Sequence, residues 1–243
     1  MSLRSKHHRQ ERVARLHRRA LDHIARDGVQ GLRMSALAKD LGYTTAALYR
    51  YYPSREALIA ALQSDTLSRL RSALIAVIDQ AQMPSPLGNL LLSGHFYAQY
   101  AQRSPASFAL NSSIFTNPTL FLPEERRQET LPMMQGLLEL IAGWLTEAGL
   151  AAGSEPLSLA LSYWSGLHGV LLTQKYHADF PLPDPRQFAG TLCLGWGADS
   201  AEVARAQELI SSREQLNGLS PLTSLDELNP LDGSAHLDTQ DPS

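Results

Sequence analysis

The sequence predicts an all-α protein with a small N-terminal domain and a larger C-terminal one. Apolar residues recur at i, i+3, i+4 and i+7 along most of the chain, and no segment shows the alternation of a strand. The charge is divided as well: residues 1–55 contain 12 Lys and Arg against 4 Asp and Glu, whereas the remainder contains 9 against 20. A length of 243 residues allows one large or two modest domains.

The first predicted helix lies in the basic part of the chain. Residues 1–8 lack periodicity, and we expect a mobile basic arm there. From Arg9 the pattern becomes helical, and Gly28 is expected to end that helix because glycine takes a left-handed conformation easily. Its apolar stripe consists of Val13, Leu16, Ala20, Leu21 and Ile24.

A helix-turn-helix is predicted within residues 31–62. Two helices that cross steeply need a small residue at their contact, a glycine in the tight turn and an apolar residue facing back. Ala38, Gly42 and Leu48 have the required spacing. Any helical hairpin can contain these residue types at helical spacing, so the prediction depends on the residues around them.

The second helix of this motif has outward residues that suit nucleic acid. It is expected to begin at Thr44 or Thr45, whose hydroxyl can cap it. Small or hydroxylated residues come first and are followed by Tyr49 and Arg50. Such a helix can enter a groove and reach phosphates.

The order and spacing of these residues resemble the DNA-binding domain of the tetracycline-repressor (TetR) family of bacterial regulators. The likeness is carried by Leu37-Ala38, Leu41-Gly42-Tyr43, Leu48-Tyr49-Arg50-Tyr51-Tyr52 and Ser54-Arg55-Glu56-Ala57-Leu58. It implies a homeodomain-like, three-helix DNA-binding domain over residues 9–53. The residues predicted to contact DNA are Arg33, Ser35, Thr44, Thr45, Ala46, Tyr49, Arg50, Tyr51 and Arg55.

The sequence departs from the family pattern at several positions. Arg33 or Met34 stands where many members carry a capping Thr, which leaves two alternatives: Ser35 caps the first motif helix, or that helix begins less firmly. Tyr51 replaces the usual His, and Tyr52 replaces the usual Phe. Arg55 replaces Lys, and its planar guanidinium can still bind a phosphate.

A long connecting helix is predicted over residues 54–83. Ser54 is expected to cap it, with Glu56 favourably placed in its first turn. Its apolar stripe continues to about Gln82, which corresponds to about 40 Å of helix. We expect it to join the two domains rigidly, and Pro84 to mark the transition.

The rest of the chain predicts a helical effector-binding and dimerisation domain over residues 84–216. Helices are expected at 87–103, 106–113, 123–130 as a charged turn or two, 132–149, 157–177, 185–196 and, more weakly, 201–212. Pro132 is expected to start a helix because proline is tolerated in a first turn. Residues 217–243 are rich in Gly, Pro, Ser and acidic residues and are predicted to be disordered.

The resemblance also implies a homodimer formed through the last two long helices. A line of small residues on the helix 157–177 independently suits such an interface, although packing within one chain can use the same face. A symmetric dimer would present two recognition helices to successive major grooves and would therefore bind a palindromic operator. The predicted interface residues are Ser162, Ser165, Gly166, Gly169, Thr173, Phe188, Leu192 and Trp196.

A small-molecule pocket in each body is a further implication of the family. Apolar and aromatic walls suit such a pocket and indicate a largely apolar effector, although for each residue taken alone ordinary core packing is the favoured alternative. The candidate lining is Phe96, Tyr97, Phe108, Phe115, Met133, Met134, Trp144, Trp164 and His168.

These features predict a transcriptional repressor that is released from DNA by its effector. A constitutive DNA-binding protein whose body only dimerises is one alternative, and an all-helical enzyme is another. No metal-ligand spacing, phosphate-binding glycine loop or nucleophile motif supports the enzyme, and no cofactor is expected.

The single cysteine, Cys193, fits a small buried apolar residue in a reducing compartment. Without a signal peptide or a long apolar run, a cytoplasmic protein with no membrane partner is expected.

Overall fold

The computed structural model describes residues 3–116, 124–150, 152–176 and 181–217. Within these ranges the chain forms ten α-helices and no strand, which confirms the all-α prediction. The predicted tail from residue 218 onward lies outside the described residues. The helices are α1 (Leu3–Gly31), α2 (Met34–Leu41), α3 (Thr45–Tyr49), α4 (Arg55–Ala81), α5 (Pro86–Arg103), α6 (Pro105–Thr116), α7 (Glu124–Glu147), α8 (Pro156–Tyr176), α9 (Pro185–Gly195) and α10 (Ser200–Asn217).

The head consists of α1, α2, α3 and the first two turns of α4. Leu16, Leu37, Leu48 and Leu58, one from each helix, are fully buried in a common apolar core. Gly28 ends the regular part of α1 with φ of 73°, as predicted. Burial of such side chains stabilises the head by about 1.5–3 kcal/mol each.

The body is built around α5, whose residues from 90 to 100 are all buried. It packs against α7, α8, α9 and α10. The approach to α9 is close: a Cβ at Gly94 would lie 2.5 Å from the Cβ of Ala189. Glycine at position 94 is therefore required by the packing of α5 against α9.

Two helices are longer than the sequence predicted. The start of α1 at Leu3 places residues 3–8 in a helix, in contrast to the expected arm. Exposed His7 and His8 each lie 3.2 Å from Glu11, at helical spacing, and such pairs support the first turns. The helix α10 reaches Asn217 rather than residue 212, and its buried Val203, Ala206 and Ile210 pack on the body.

The prediction that a helix begins at Pro132 is wrong, because α7 runs through this residue from Glu124. Proline in a helix interior removes one hydrogen bond and costs about 3 kcal/mol. The packing of Met134, Ile141 and Leu145 against the body core offsets that loss.

By contrast, α9 is only 11 residues long, so the last two long helices of the described chain are α8 and α10.

Candidate nucleic-acid interface and effector cavity

The turn between α2 and α3 has the geometry that the motif predicts. Gly42 has φ of 72°, and its N–H is directed at the carbonyls that end α2. Thr44 caps α3, since its hydroxyl oxygen accepts a hydrogen bond from the Ala47 N–H at 3.1 Å. Leu48 is fully buried and anchors α3 to the head core. The opposite face of α3 is therefore left on the protein surface.

Most of the residues predicted to contact DNA are exposed. The exposed set is Arg33, Ser35, Thr44, Ala46, Tyr49 and Arg50, and Thr45 is half-buried. Arg33 occupies the N-cap position of α2 without a side-chain cap, and Ser35 lies inside that helix and does not cap it. Tyr49 leaves 45% of its surface exposed, although tyrosine usually buries much of its ring.

Tyr51 and Tyr52 contribute to the packing of the head. Tyr51 is half-buried and stacks on Tyr43, with ring centroids 6.4 Å apart. The Tyr52 hydroxyl lies 2.7 Å from His17 Nε2, and burial raises the pKa of Tyr52 to about 12. The aromatic substitutions at these positions therefore keep the core filled, and a DNA contact by Tyr51 remains a prediction.

Arg55 contacts backbone carbonyls of the head, whereas the sequence predicted that it would contact a DNA phosphate. Its Nε donates to the Leu32 carbonyl at 2.8 Å, and its Nη2 donates to the Val29 carbonyl at 2.6 Å. Its Nη1 lies 3.4 Å from a carboxylate oxygen of Glu56. The guanidinium thus ties the end of α1 to the start of α4, and this argues against a phosphate contact.

Charged groups also join α1 to the middle of α4. Asp65 lies 3.4 Å from His17 Nδ1 and 3.1 Å from Arg69 Nη2. Burial opposes ionisation of Asp65, but the hydrogen bonds and charges of His17 and Arg69 outweigh it and lower its pKa. The orientation of the head relative to α4 therefore depends on an ionised carboxylate.

The body contains an open cavity between α4, α5, α6, α7 and α8. It is open to solvent, and part of its atom-free space of about 430 Å³ is open solvent. The wall is almost entirely aliphatic and aromatic. Its residues are Leu67, Leu70, Tyr97, Asn111, Met134, Leu137, Leu138, Ile141 and Trp164.

Only part of the predicted effector pocket lies in this wall. Tyr97, Met134 and Trp164 line the cavity. Phe96, Phe108 and Trp144 are buried in the body core instead. The side chains of Phe115 and Met133 lie outside the described residues. Asn111 of α6 and the aliphatic residues of α4 and α7 were missed, although the amide directly after the apolar Phe108, Ala109 and Leu110 was a usable signal.

His168 lies behind the cavity wall. Its ring stacks on Trp164 at a centroid distance of 4.8 Å, and its Nδ1 lies 2.8 Å from the Tyr97 hydroxyl. Burial lowers the pKa of His168 to about 4 and raises that of Tyr97 above its usual value. Both groups are therefore neutral near pH 7.

The residues predicted to form a dimer interface divide into two groups. A Cβ at Gly166 would lie 3.3 Å from both Phe188 and Leu192, so α8 and α9 pack here within one chain. Trp196 also packs against the body core. In contrast, Ser162, Ser165 and Gly169 are exposed, and Thr173 is half-buried. The alternative of packing within the chain thus holds for Gly166, and a dimer contact remains a prediction.

Three features of the described chain concern metal binding, cysteine chemistry and membrane spanning. No group of three or more His, Cys, Asp or Glu there can hold a metal ion. Burial raises the pKa of the Cys193 thiol to about 12, which keeps the thiol protonated. Within the same ranges, no helix combines the length and apolar character needed to cross a bilayer.

Comparison with known sequences assigns the head to a family. Residues 18–62 match the sequence model of "Bacterial regulatory proteins, tetR family". HTH-type transcriptional regulators of Mycobacterium tuberculosis and Mycobacterium bovis are 31% identical over 93 residues, which is 38% of this chain and 38% of each relative. The chain thus aligns with well under half of the length of these relatives.

Solved structures of regulators share the fold. The TetR-family regulator PfmR of Thermus thermophilus superposes with a TM-score of 0.54 at 17% identity, covering 75% of this chain and 96% of that one. The regulator FadR of Bacillus subtilis, solved with stearoyl-CoA, gives 0.55 at 16%, covering 76% and 96%.

The chain carries the helix-turn-helix domain of DNA-binding transcriptional regulators. Its head matches the TetR family of bacterial regulatory proteins over residues 18–62. Because that family and the matched relatives are transcriptional regulators, the comparisons support a regulator rather than the enzyme alternative.

Proposed function

We propose that the protein is a homodimeric repressor that binds a palindromic operator and leaves it when a small molecule occupies the cavity. The observation that carries this proposal is that α4 and α6 each belong to both the head and the cavity. In α4, Leu58 and Leu62 are buried in the head core, whereas Leu67 and Leu70 line the cavity.

The helix α6 makes the same double connection over a shorter distance. Ala106 and Leu110 pack in the head core, and Asn111 lines the cavity. A molecule that binds better when α6 is displaced would shift the population toward heads that no longer match the operator. The extent to which the ligand weakens operator binding is set by the difference in ligand affinity between the two conformers.

The exposed surface of α8 and α9 supports pairing of two chains. Leu161 on α8 and Leu194 on α9 leave 45% and 44% of their surfaces exposed, and Ser162, Ser165 and Gly169 of α8 are exposed as well. Apolar surface of this kind is stabilised by a second copy. Two heads about one helical turn of DNA apart would read equal half-sites.

The proposal is tested by selecting DNA fragments with the purified protein from a random library and measuring affinity by fluorescence anisotropy. A repressor of this type should select inverted repeats and bind them as a dimer. A library of small neutral molecules, screened first by thermal shift, should then contain compounds that raise the melting temperature and release the DNA. Selection of operators without any compound that releases them would favour the constitutive alternative.

A further inference from the structure

The cavity wall offers no charge to a bound molecule along the part of the chain that the structure describes. Eight of its nine side chains are aliphatic or aromatic, and the remaining one is the amide of Asn111. The imidazole of His168, behind Trp164, is neutral near pH 7. An ionised group placed against such a wall loses hydration without gaining a counter-charge, which disfavours its binding relative to a neutral group of the same shape.

Asn111 has hydrogen-bonding capacity left for a ligand. Its side chain is 5% exposed; Oδ1 accepts from the Thr66 hydroxyl at 2.8 Å, and Nδ2 donates to the Tyr100 hydroxyl at 2.9 Å. A primary amide has two N–H donors and an oxygen with two lone pairs. One donor and one lone pair of Asn111 therefore remain beyond these two bonds.

We propose that the effector is an uncharged, mainly apolar molecule with a single hydrogen-bonding group, and that Asn111 is the residue that recognises this group. This inference rests on the proposed function, because it names the ligand class of the same cavity. It also assigns a point of contact between ligand and head. A group bound to Asn111 contacts the same amide whose hydrogen bond with Thr66 joins α6 to α4.

Three matched probes test the ligand class: 2-naphthol, naphthalene and 2-naphthoate, with binding measured by isothermal titration calorimetry at pH 7.5. The neutral alcohol should bind about three- to tenfold more tightly than the hydrocarbon, the ratio that one net hydrogen bond provides. The carboxylate should bind at least about tenfold more weakly than the alcohol, because it must be desolvated without a counter-charge. Equal binding of alcohol and carboxylate, or binding of none of the three, overturns the proposal.

The role of Asn111 is tested with Asn111→Leu. This variant should bind naphthalene as the parent protein does and lose the preference for 2-naphthol. Since Asn111→Leu leaves the Thr66 hydroxyl without its partner, the double variant Thr66→Val/Asn111→Leu provides a second version in which both groups are replaced by apolar side chains of similar shape. Gln63→Met is the matched control, because Gln63 is a buried amide on α4 that does not line the cavity.

The outcomes separate this inference from the proposed function. A preference for 2-naphthol that persists in both Asn111 variants excludes Asn111 as the recognition residue, whatever happens to DNA binding. Conversely, probes that bind with the expected order but leave operator affinity unchanged at saturation contradict release by cavity occupation and leave the ligand class intact.

Discussion

The guanidinium of Arg50 is exposed directly after α3 and is free to approach a DNA backbone. Removing it in Arg50→Ala should weaken operator binding at all sequences and reduce the slope of log affinity against log salt by about one. Fluorescence anisotropy at several salt concentrations measures both quantities. Arg186→Ala, an exposed arginine at the start of α9, is the control and should leave affinity and slope unchanged.

Arg55 differs from Arg50 because its side chain is used within the head. Loss of its hydrogen bonds to the carbonyls of Val29 and Leu32 in Arg55→Ala should destabilise the protein by about 1–3 kcal/mol. Arg55→Lys should recover only part of this, since an ammonium lacks the planar fork that spans two acceptors. Thermal unfolding of both variants measures the effect. A normal melting temperature for Arg55→Ala, together with a smaller slope of log operator affinity against log salt, would instead support a phosphate contact by Arg55.

The contrast between Thr44 and Arg55 explains which site residues the sequence could predict. Thr44 caps α3 through a residue only three positions away, so the pattern of neighbouring residues already contains the contact. Arg55 binds carbonyls 23 and 26 residues earlier, which come within reach only after α1 and α4 have packed. Asn111 is another such case, because its partner Thr66 is 45 residues away.

At the scale of elements, Asp65 connects α4 to α1. The lowered pKa of Asp65 means that the folded state favours the ionised carboxylate, so its contribution to stability is present above the ordinary carboxyl pKa of about 3.9 and is lost as the pH falls through the lower folded value. Asp65→Asn should therefore lower stability near pH 7, and its effect should shrink as the pH falls through the lowered pKa of Asp65.

Urea unfolding at several pH values checks this expectation. Asp79→Asn is a suitable control because Asp79 lies on the same helix and is exposed. A stability difference between Asp65→Asn and the parent protein that does not change from pH 7 to pH 3 would show that packing, rather than charge, is responsible.

Helix boundaries could be predicted from the sequence where a glycine or a capping residue ends or begins the helix. They were less predictable where packing against distant residues determines how far the helix extends. Gly28, Gly42 and Ser54 are local signals, and the structure confirms each of them. Pro132 is a local signal that the body core overrides within α7. The extent of α10 depends on burial of Val203 and Ile210 against the body, which the short sequence pattern does not contain.

At the scale of the whole molecule, the division of charge and the continuity of α4 belong together. The excess of Lys and Arg lies in residues 1–55, which include α1, α2 and α3. From there α4 extends unbroken to Ala81, and its length of 27 residues corresponds to about 40 Å. A basic head thus packs on both α4 and α6, and the middle of α4 lines the cavity through Leu67 and Leu70. In the proposed mechanism, movement of α4 changes where the positive charge is presented.

The dimer is the level at which such movement would matter, since two heads must match two half-sites. Arginine at the exposed Leu161 and Leu194 places two charges per chain in the proposed interface, where burial without partners costs several kcal/mol. The double variant Leu161→Arg/Leu194→Arg should therefore be monomeric by multi-angle light scattering and bind a palindrome far more weakly. Ser72→Arg, at an exposed position of α4, is the control and should stay dimeric.

Gly166 is unsuitable for the same test, although it lies on α8, because its neighbours Phe188 and Leu192 belong to the same chain and a larger side chain would disturb the fold. Gly169 has open space around it and is the better position for a bulky residue. Gly169→Trp should lower the dimer affinity without changing the far-ultraviolet circular dichroism. A variant set that remains dimeric throughout would place the interface away from this surface of α8 and α9, and the two recognition helices would then need a different spacing on DNA.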